Sequence, residues 1–160
     1  MSLKINIRHL DNRNVTLRGE LTVAELELDT HDEMLRVTEP VQYDLEAQLL
    51  DNALLVQGWL QAELECECVR CLQPFTQTLE IDPWTLHLPL EGEEAVSIDN
   101  DCVDLTPFVR EDILLEFPQH PLCKSDCAGL KKAAVGKARE TDDKVEPTES
   151  AWAKLNKLKL

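Results

Sequence analysis

Two short cysteine pairs constrain this chain more than any other feature. Cys68-Val69-Arg70-Cys71 forms the first, and Cys123-Lys124-Ser125-Asp126-Cys127 forms the second, far along the sequence. Gaps of two and three residues let one tight loop present two sulfurs to one ion, so the pairs can together close a tetrahedral zinc site. Any fold that uses them must bring the middle of the chain against its last third. The candidate metal ligands are therefore Cys68, Cys71, Cys123 and Cys127, with structural zinc as the ion. Cys66 and His120 stand in reserve, His120 lying three residues before Cys123. The competing reading is free structural thiols, since Cys66 and Cys68 also suit a core as small hydrophobes. Leu72 follows the first pair where tight metal knuckles often carry glycine. Cys102 has no partner at metal spacing and reads as a core or loop thiol.

The hydrophobic pattern around these pairs is mostly of period two. Leu3, Ile5 and Ile7 alternate with polar residues, and Val15 and Leu17 repeat the pattern after Asp11-Asn12-Arg13-Asn14, which predicts a hairpin. Residues 20–36 fit neither period. Val41, Tyr43, Leu45, Ala47 and Leu49 alternate cleanly, Asp51-Asn52 supplies a turn, and the even positions from Leu54 to Leu64 continue the apolar face. This predicts an antiparallel hairpin with one buried face, and its parity carries Cys66 and Cys68 to the buried side. Phe75 to Ile81 reads as the return strand, Asp82-Pro83 as its break, and Trp84, Leu86 and Leu88 as alternation on the shifted parity. The acidic stretch 91–103 reads as a loop. A helix is expected next, capped by Asp104 or Thr106, tolerating Pro107 in its first turn and ending at Phe117-Pro118. Its Leu105, Phe108, Val109, Ile113 and Leu115 are expected along the sheet.

The expected fold is thus α+β: a strongly curved antiparallel β-sheet with one main helix packed on it, and a cysteine cluster joining them. Residues 1–130 read as the domain. Residues 131–160 read as a flexible linker and a short C-terminal amphipathic helix, with Ala151, Trp152, Leu155 and Leu158 on one side and Lys154, Lys157 and Lys159 on the other.

Charge separates the same two parts. Residues 1–130 hold 8 basic and 26 acidic side chains, a net of −18, while residues 131–160 hold 8 basic and 5 acidic, a net of +3. An acidic body repels phosphate and attracts basic proteins. Met1-Ser2-Leu3-Lys4 opens straight into a strand pattern rather than a secretory signal, and no apolar run approaches the roughly 18 residues of a membrane span. The expected location is the cytoplasm, where reduced thiols favour metal over disulfides.

Several stretches resemble the bacterial YceD family, which is linked to accumulation of large-subunit ribosomal RNA. Glu67 to Phe75 is similar to its Cys-x-Arg-Cys signature, Asp104 to Leu115 with Phe117-Pro118 to its helix and exit, Pro121 to Leu130 to its second cysteine segment, and Ser150 to Leu155 to its terminal helix. The sharp motifs cover residues 66–75, 104–130 and 150–158. Many relatives carry a further cysteine pair after the Gly-Leu, where this chain has Lys131-Lys132-Ala133, leaving one four-sulfur set. The resemblance implies a non-enzymatic factor in ribosome biogenesis whose partner is a ribosomal protein or assembly factor, with ribosomal RNA as a further candidate. No membrane and no small-molecule substrate are expected.

Other chemistry finds little support. His9, His31, His87 and His120 are scattered, and no glycine-rich phosphate loop, nucleophile elbow or paired catalytic carboxylates occur. Cys68 and Cys71 have the spacing of a redox dithiol, but such pairs usually open a helix, and here Gln73-Pro74-Phe75 leads into a strand pattern. Arg70, between two candidate ligands, is placed either to support the site or to meet a phosphate, against the simpler reading of a solubilising surface arginine. The alternative functions are direct RNA binding through the basic C-terminal segment and thiol redox chemistry at Cys68 and Cys71.

Overall fold

The computed structural model describes residues 2–11, 13–29 and 32–130. The strands are β1 (Lys4–Asn6), β2 (Val15–Leu21), β3 (Leu35–Val37), β4 (Val41–Leu50), β5 (Ala53–Glu67), β6 (Pro74–Pro89), β7 (Ile98–Asp99) and β8 (Cys102–Asp104), and α1 (Thr106–Leu115) follows. All strand pairings are antiparallel. The main sheet is curled like a half-barrel. β5 is its spine: β6 runs along one side, while β4 and then β3 share the other, and β2 flanks β4. A small sheet of β1, β8 and β7 completes the structure.

The β4–β5 hairpin follows from alternation. Leu50 pairs with Ala53, so Asp51-Asn52 is a two-residue turn, and Asp51 takes a left-handed φ of 50° that Asp tolerates better than most residues. The even side chains Leu54, Val56, Leu60, Ala62 and Leu64 are buried on the inner face. β6 pairs with β5 over almost its whole length, and Asp82-Pro83 bulges the strand instead of ending it. Gly58 faces Trp84 and Leu60 faces Ile81, so two β6 residues oppose Trp59. The extra residue switches the inward parity from Leu79 and Ile81 to Trp84 and Leu88.

On its other side, Gly58 lets β5 approach β4 closely. A Cβ there would lie 2.0 Å from the Asp44 carbonyl oxygen and 2.8 Å from the Leu45 Cα.

The helix docks by its Leu105, Val109 and Ile113 face, all fully buried, in register with the four-residue repeat. Buried Trp84 donates its indole Nε1–H to Asp112 at 2.6 Å, joining helix to sheet. At the start of the helix, Asp104 accepts from the Thr106 N–H at 2.9 Å. The Thr106 hydroxyl turns away and accepts from the Leu3 N–H at 2.8 Å, which anchors the beginning of the chain.

Three further local expectations are corrected. β1 does not pair with β2; it pairs with β8, with Ile5 facing Val103, because a 3-10 turn over Ile7–Leu10 carries the chain away from a simple reversal. β2 pairs with β4 instead. Within the expected loop 91–103 lies the β7–β8 hairpin, whose Asn100 and Asp101 both take the positive φ that a tight reversed turn needs. The acidic character of that stretch masked the buried Val103. Leu115 is 80% exposed, since it lies about 200° around the helix from buried Ile113 and so faces away from the sheet, while Leu114 and Phe117 pack on the core. The expected linker and terminal helix lie outside the described residues.

Candidate metal centre

The period-two pattern of β5 delivers Cys66 and Cys68 to the inner side, where both are buried. The strand ends at Glu67 and the chain turns over residues 68–73 before β6 begins. Within that turn Leu72 N–H donates to the Cys68 carbonyl at 2.8 Å, and Cys68 N–H to the Gln73 carbonyl at 3.0 Å. Leu72 takes φ 57°, so the loop adopts the left-handed conformation glycine favours and uses leucine to do it. Cys71 is thereby turned back toward Cys68.

The second segment approaches after the helix. Val69 N–H donates to the carbonyl of buried Pro121 at 3.0 Å, a contact that no sequence pattern signalled. Cys127 N–H closes a turn onto the Lys124 carbonyl at 3.1 Å. Arg70 supplies the clasp: its Nη1 donates to the Cys127 carbonyl at 3.1 Å. Of the roles open to Arg70, the structure displays support of the second cysteine segment.

The four sulfurs of Cys68, Cys71, Cys123 and Cys127 all lie within 4.8 Å of one another. Cys68 and Cys127 are 3.8 Å apart, and Cys71 and Cys123 are 3.6 Å apart. Zinc–sulfur bonds of about 2.3 Å directed to a tetrahedron place sulfurs about 3.8 Å apart. The donor set therefore fits a soft, tetrahedral ion. Cys66 is near but separate, its sulfur directed to the Leu64 carbonyl at 4.0 Å, and His120 is exposed and outside the group. Cys102 lies on β8, also outside it. His31 falls outside the described residues.

The thiols respond unequally to this crowding. Backbone hydrogen bonds from Cys123 and then Cys71 pull Cys68 down to about 6. The adjacent Cys71 sulfur, with burial, pushes Cys123 up to about 12. A backbone hydrogen bond from Gln73 favours the Cys71 thiolate, but burial and the Cys68 sulfur outweigh it and the net direction is up. Burial also raises Cys66. The arrangement favours one thiolate and resists several, the resistance a cation relieves. Cys68 and Cys71 lie in a turn between two strands, so they lack the helix N-terminus that activates thioredoxin-type pairs.

A family model described as "Large ribosomal RNA subunit accumulation protein YceD" matches residues 56–159, a span that holds all four cysteines and α1. The chain belongs to the YceD family. Among curated relatives, YceD-type similarity extends to the uncharacterized protein YlbN of Bacillus subtilis, 26% identical over 86% of this chain and 84% of that one. An uncharacterized protein of Mycobacterium tuberculosis is 28% identical over 70% of this chain and 58% of its own length. One of Mycobacterium leprae is 27% identical over 74% and 59%. The chain thus spans under two thirds of the mycobacterial relatives it matches. No solved structure matches. Among the described residues, no helix is long and apolar enough to cross a membrane.

Proposed function

We propose that this YceD-family protein is a non-enzymatic, cytoplasmic factor that supports large ribosomal subunit assembly and ribosomal RNA accumulation by binding a basic ribosomal protein or assembly factor. The family description supports the ribosomal connection. The observation that carries the mechanism is the charge of the main sheet. Its five strands bear eight carboxylates against two arginines, Arg18 on β2 and Arg36 on β3, and Arg18 is already paired with Asp44. Such a surface opposes a phosphate backbone and attracts a cationic protein.

In this reading Cys68, Cys71, Cys123 and Cys127 hold structural zinc, which neutralises the thiolates and fixes the turn after β5 to the segment after α1. Arg70 orients that segment through the Cys127 carbonyl. The role is architectural, and no reaction is assigned to it.

The test is a pull-down with tagged full-length protein, with and without ribonuclease, read by mass spectrometry and RNA sequencing. A basic large-subunit protein or assembly factor retained after ribonuclease is the expected result. The +3 charge of residues 131–160 favours a second reading, direct RNA contact through Lys154, Lys157 and Lys159. Recovery of ribosomal RNA alone, lost when these three are changed to Glu, selects that reading and rejects the first.

A further inference from the structure

We infer that the free edge of β6 between Phe75 and Ile81 accepts an extended, Lys- or Arg-rich segment of the partner as an added β-strand. This rests on the protein-binding reading above and specifies its form.

The inference begins with backbone bookkeeping. β6 pairs with β5 only, and among the described residues no backbone hydrogen bond reaches its other edge between Phe75 and Ile81. In an antiparallel pair, alternate residues turn their N–H and C=O groups away from the partner strand. A seven-residue edge therefore offers three or four residues for a new ladder. Pro74 bounds this window at one end and the Asp82-Pro83 bulge at the other, and proline cannot donate to a ladder. Within the window, Thr76, Gln77 and Thr78 are exposed, while Phe75, Leu79 and Ile81 pack on the core side.

Natural edge strands are commonly protected by lysine. β6 has no Lys or Arg. The nearby outer face carries Glu63, Glu65 and Glu80 instead, all exposed and without an ion-pair partner among the described residues. Glu63 and Glu65 face Thr78 and Thr76 across the β5–β6 ladder, one strand in from the edge. Arg36 on β3 is across from Glu65 on the far side, leaving the β6 side acidic. An incoming strand meets open backbone donors and acceptors along the edge and carboxylates on one face. Its fitting sequence is extended, with cationic side chains on that face.

The test uses full-length protein and two synthetic peptides, one alternating Arg and Val and one alternating Glu and Val. Residue-resolved hydrogen exchange and a binding titration are read together. The Arg–Val peptide is expected to protect alternate amides within residues 75–81, to bind more weakly as salt rises, and to lose about tenfold in affinity to the Glu63→Gln, Glu65→Gln, Glu80→Gln variant, each exposed contact being worth a factor of roughly two or three. Thermal melting checks that the variant stays folded. Equal binding of the Glu–Val peptide overturns the inference. So does Arg–Val binding that leaves the edge amides unchanged, or edge amides already protected in the free protein. A pull-down that recovers a basic ribosomal protein while the edge amides stay unprotected rejects the edge and leaves the ribosomal reading standing. Edge protection by the peptide with no ribosomal partner recovered supports the edge and rejects that reading.

Discussion

Replacing Gly58 by alanine tests whether the close approach of β5 to β4 requires glycine. The added Cβ would sit 2.0 Å from the Asp44 carbonyl oxygen, 2.8 Å from the Leu45 Cα and 2.9 Å from the Asp44 carbonyl carbon. All three are backbone atoms of β4, so no side chain can swing aside. Relief requires β4 and β5 to part by about 1 Å, against an ordinary strand spacing of about 4.8 Å. That movement stretches the flanking ladder bonds beyond useful length, at about 1 kcal/mol for each of two bonds. Residual overpacking adds at least about 1 kcal/mol. The expected loss is about 3 kcal/mol, a large part of a typical domain's stability, and a fall in Tm of about 10 °C. Gly19→Ala is the internal control. Its Cβ would meet only the Tyr43 ring, with the hydroxyl at 2.8 Å, and the half-buried tyrosine can rotate away, so the cost stays below about 1 kcal/mol. Urea unfolding followed by circular dichroism measures both. Losses equal within about 0.5 kcal/mol would refute the argument that backbone approach at Gly58 is what requires glycine.

Three further outcomes are expected. Protein purified without chelator carries about one zinc per chain, and the Cys68→Ser, Cys71→Ser variant loses it. The variant exposes the Val69 amide and residues 121–130 to exchange while β4 and β5 stay protected by their own core; elemental analysis with hydrogen exchange checks this, and full zinc retention contradicts it. Zinc affinity falls with acid because protons compete for the sulfurs: at about pH 7.5, binding releases at least two protons, since Cys71 and Cys123 are held above the ordinary thiol range and Cys68, near 6, has already lost its own. Calorimetry in two buffers of different ionisation heat counts them, and release of one or none contradicts the assignment. Asp112→Ala leaves the buried Trp84 indole N–H without its acceptor and costs about 2 kcal/mol, whereas Asp112→Asn keeps a carbonyl oxygen and costs less than half as much; denaturation followed by tryptophan fluorescence separates the two, and equal losses would show that the bond does not hold the helix.

The sequence by itself determined the β4–β5 hairpin, because a single buried face forces strict alternation and a slip by one residue would turn every leucine outward. It also determined the buried positions of Cys66 and Cys68, which continue the same parity, and the helix from Thr106, marked by Asp104, Pro107 and Phe117-Pro118. The cysteine spacing was enough to select the four sulfurs that converge. Tertiary structure decided what no local pattern encodes. β1 and β8 pair across nearly the whole described chain, and their short runs, Lys4–Asn6 and Cys102–Asp104, carry too few residues for periodicity to reveal a partner. Asp82-Pro83 reads locally as a break, yet β6 continues because pairing with β5 resumes beyond a bulge, from Trp84 opposite Gly58 to Pro89 opposite Ala53. Leu115 is apolar yet exposed, because docking through Leu105, Val109 and Ile113 turns its side of the helix to solvent. Arg70 and Pro121 matter through the backbone of a distant segment, Arg70 by donating to the Cys127 carbonyl and Pro121 by accepting from Val69. Spacing along a chain encodes which groups can share a face or a loop; which distant backbone atoms meet is set by packing the whole sheet.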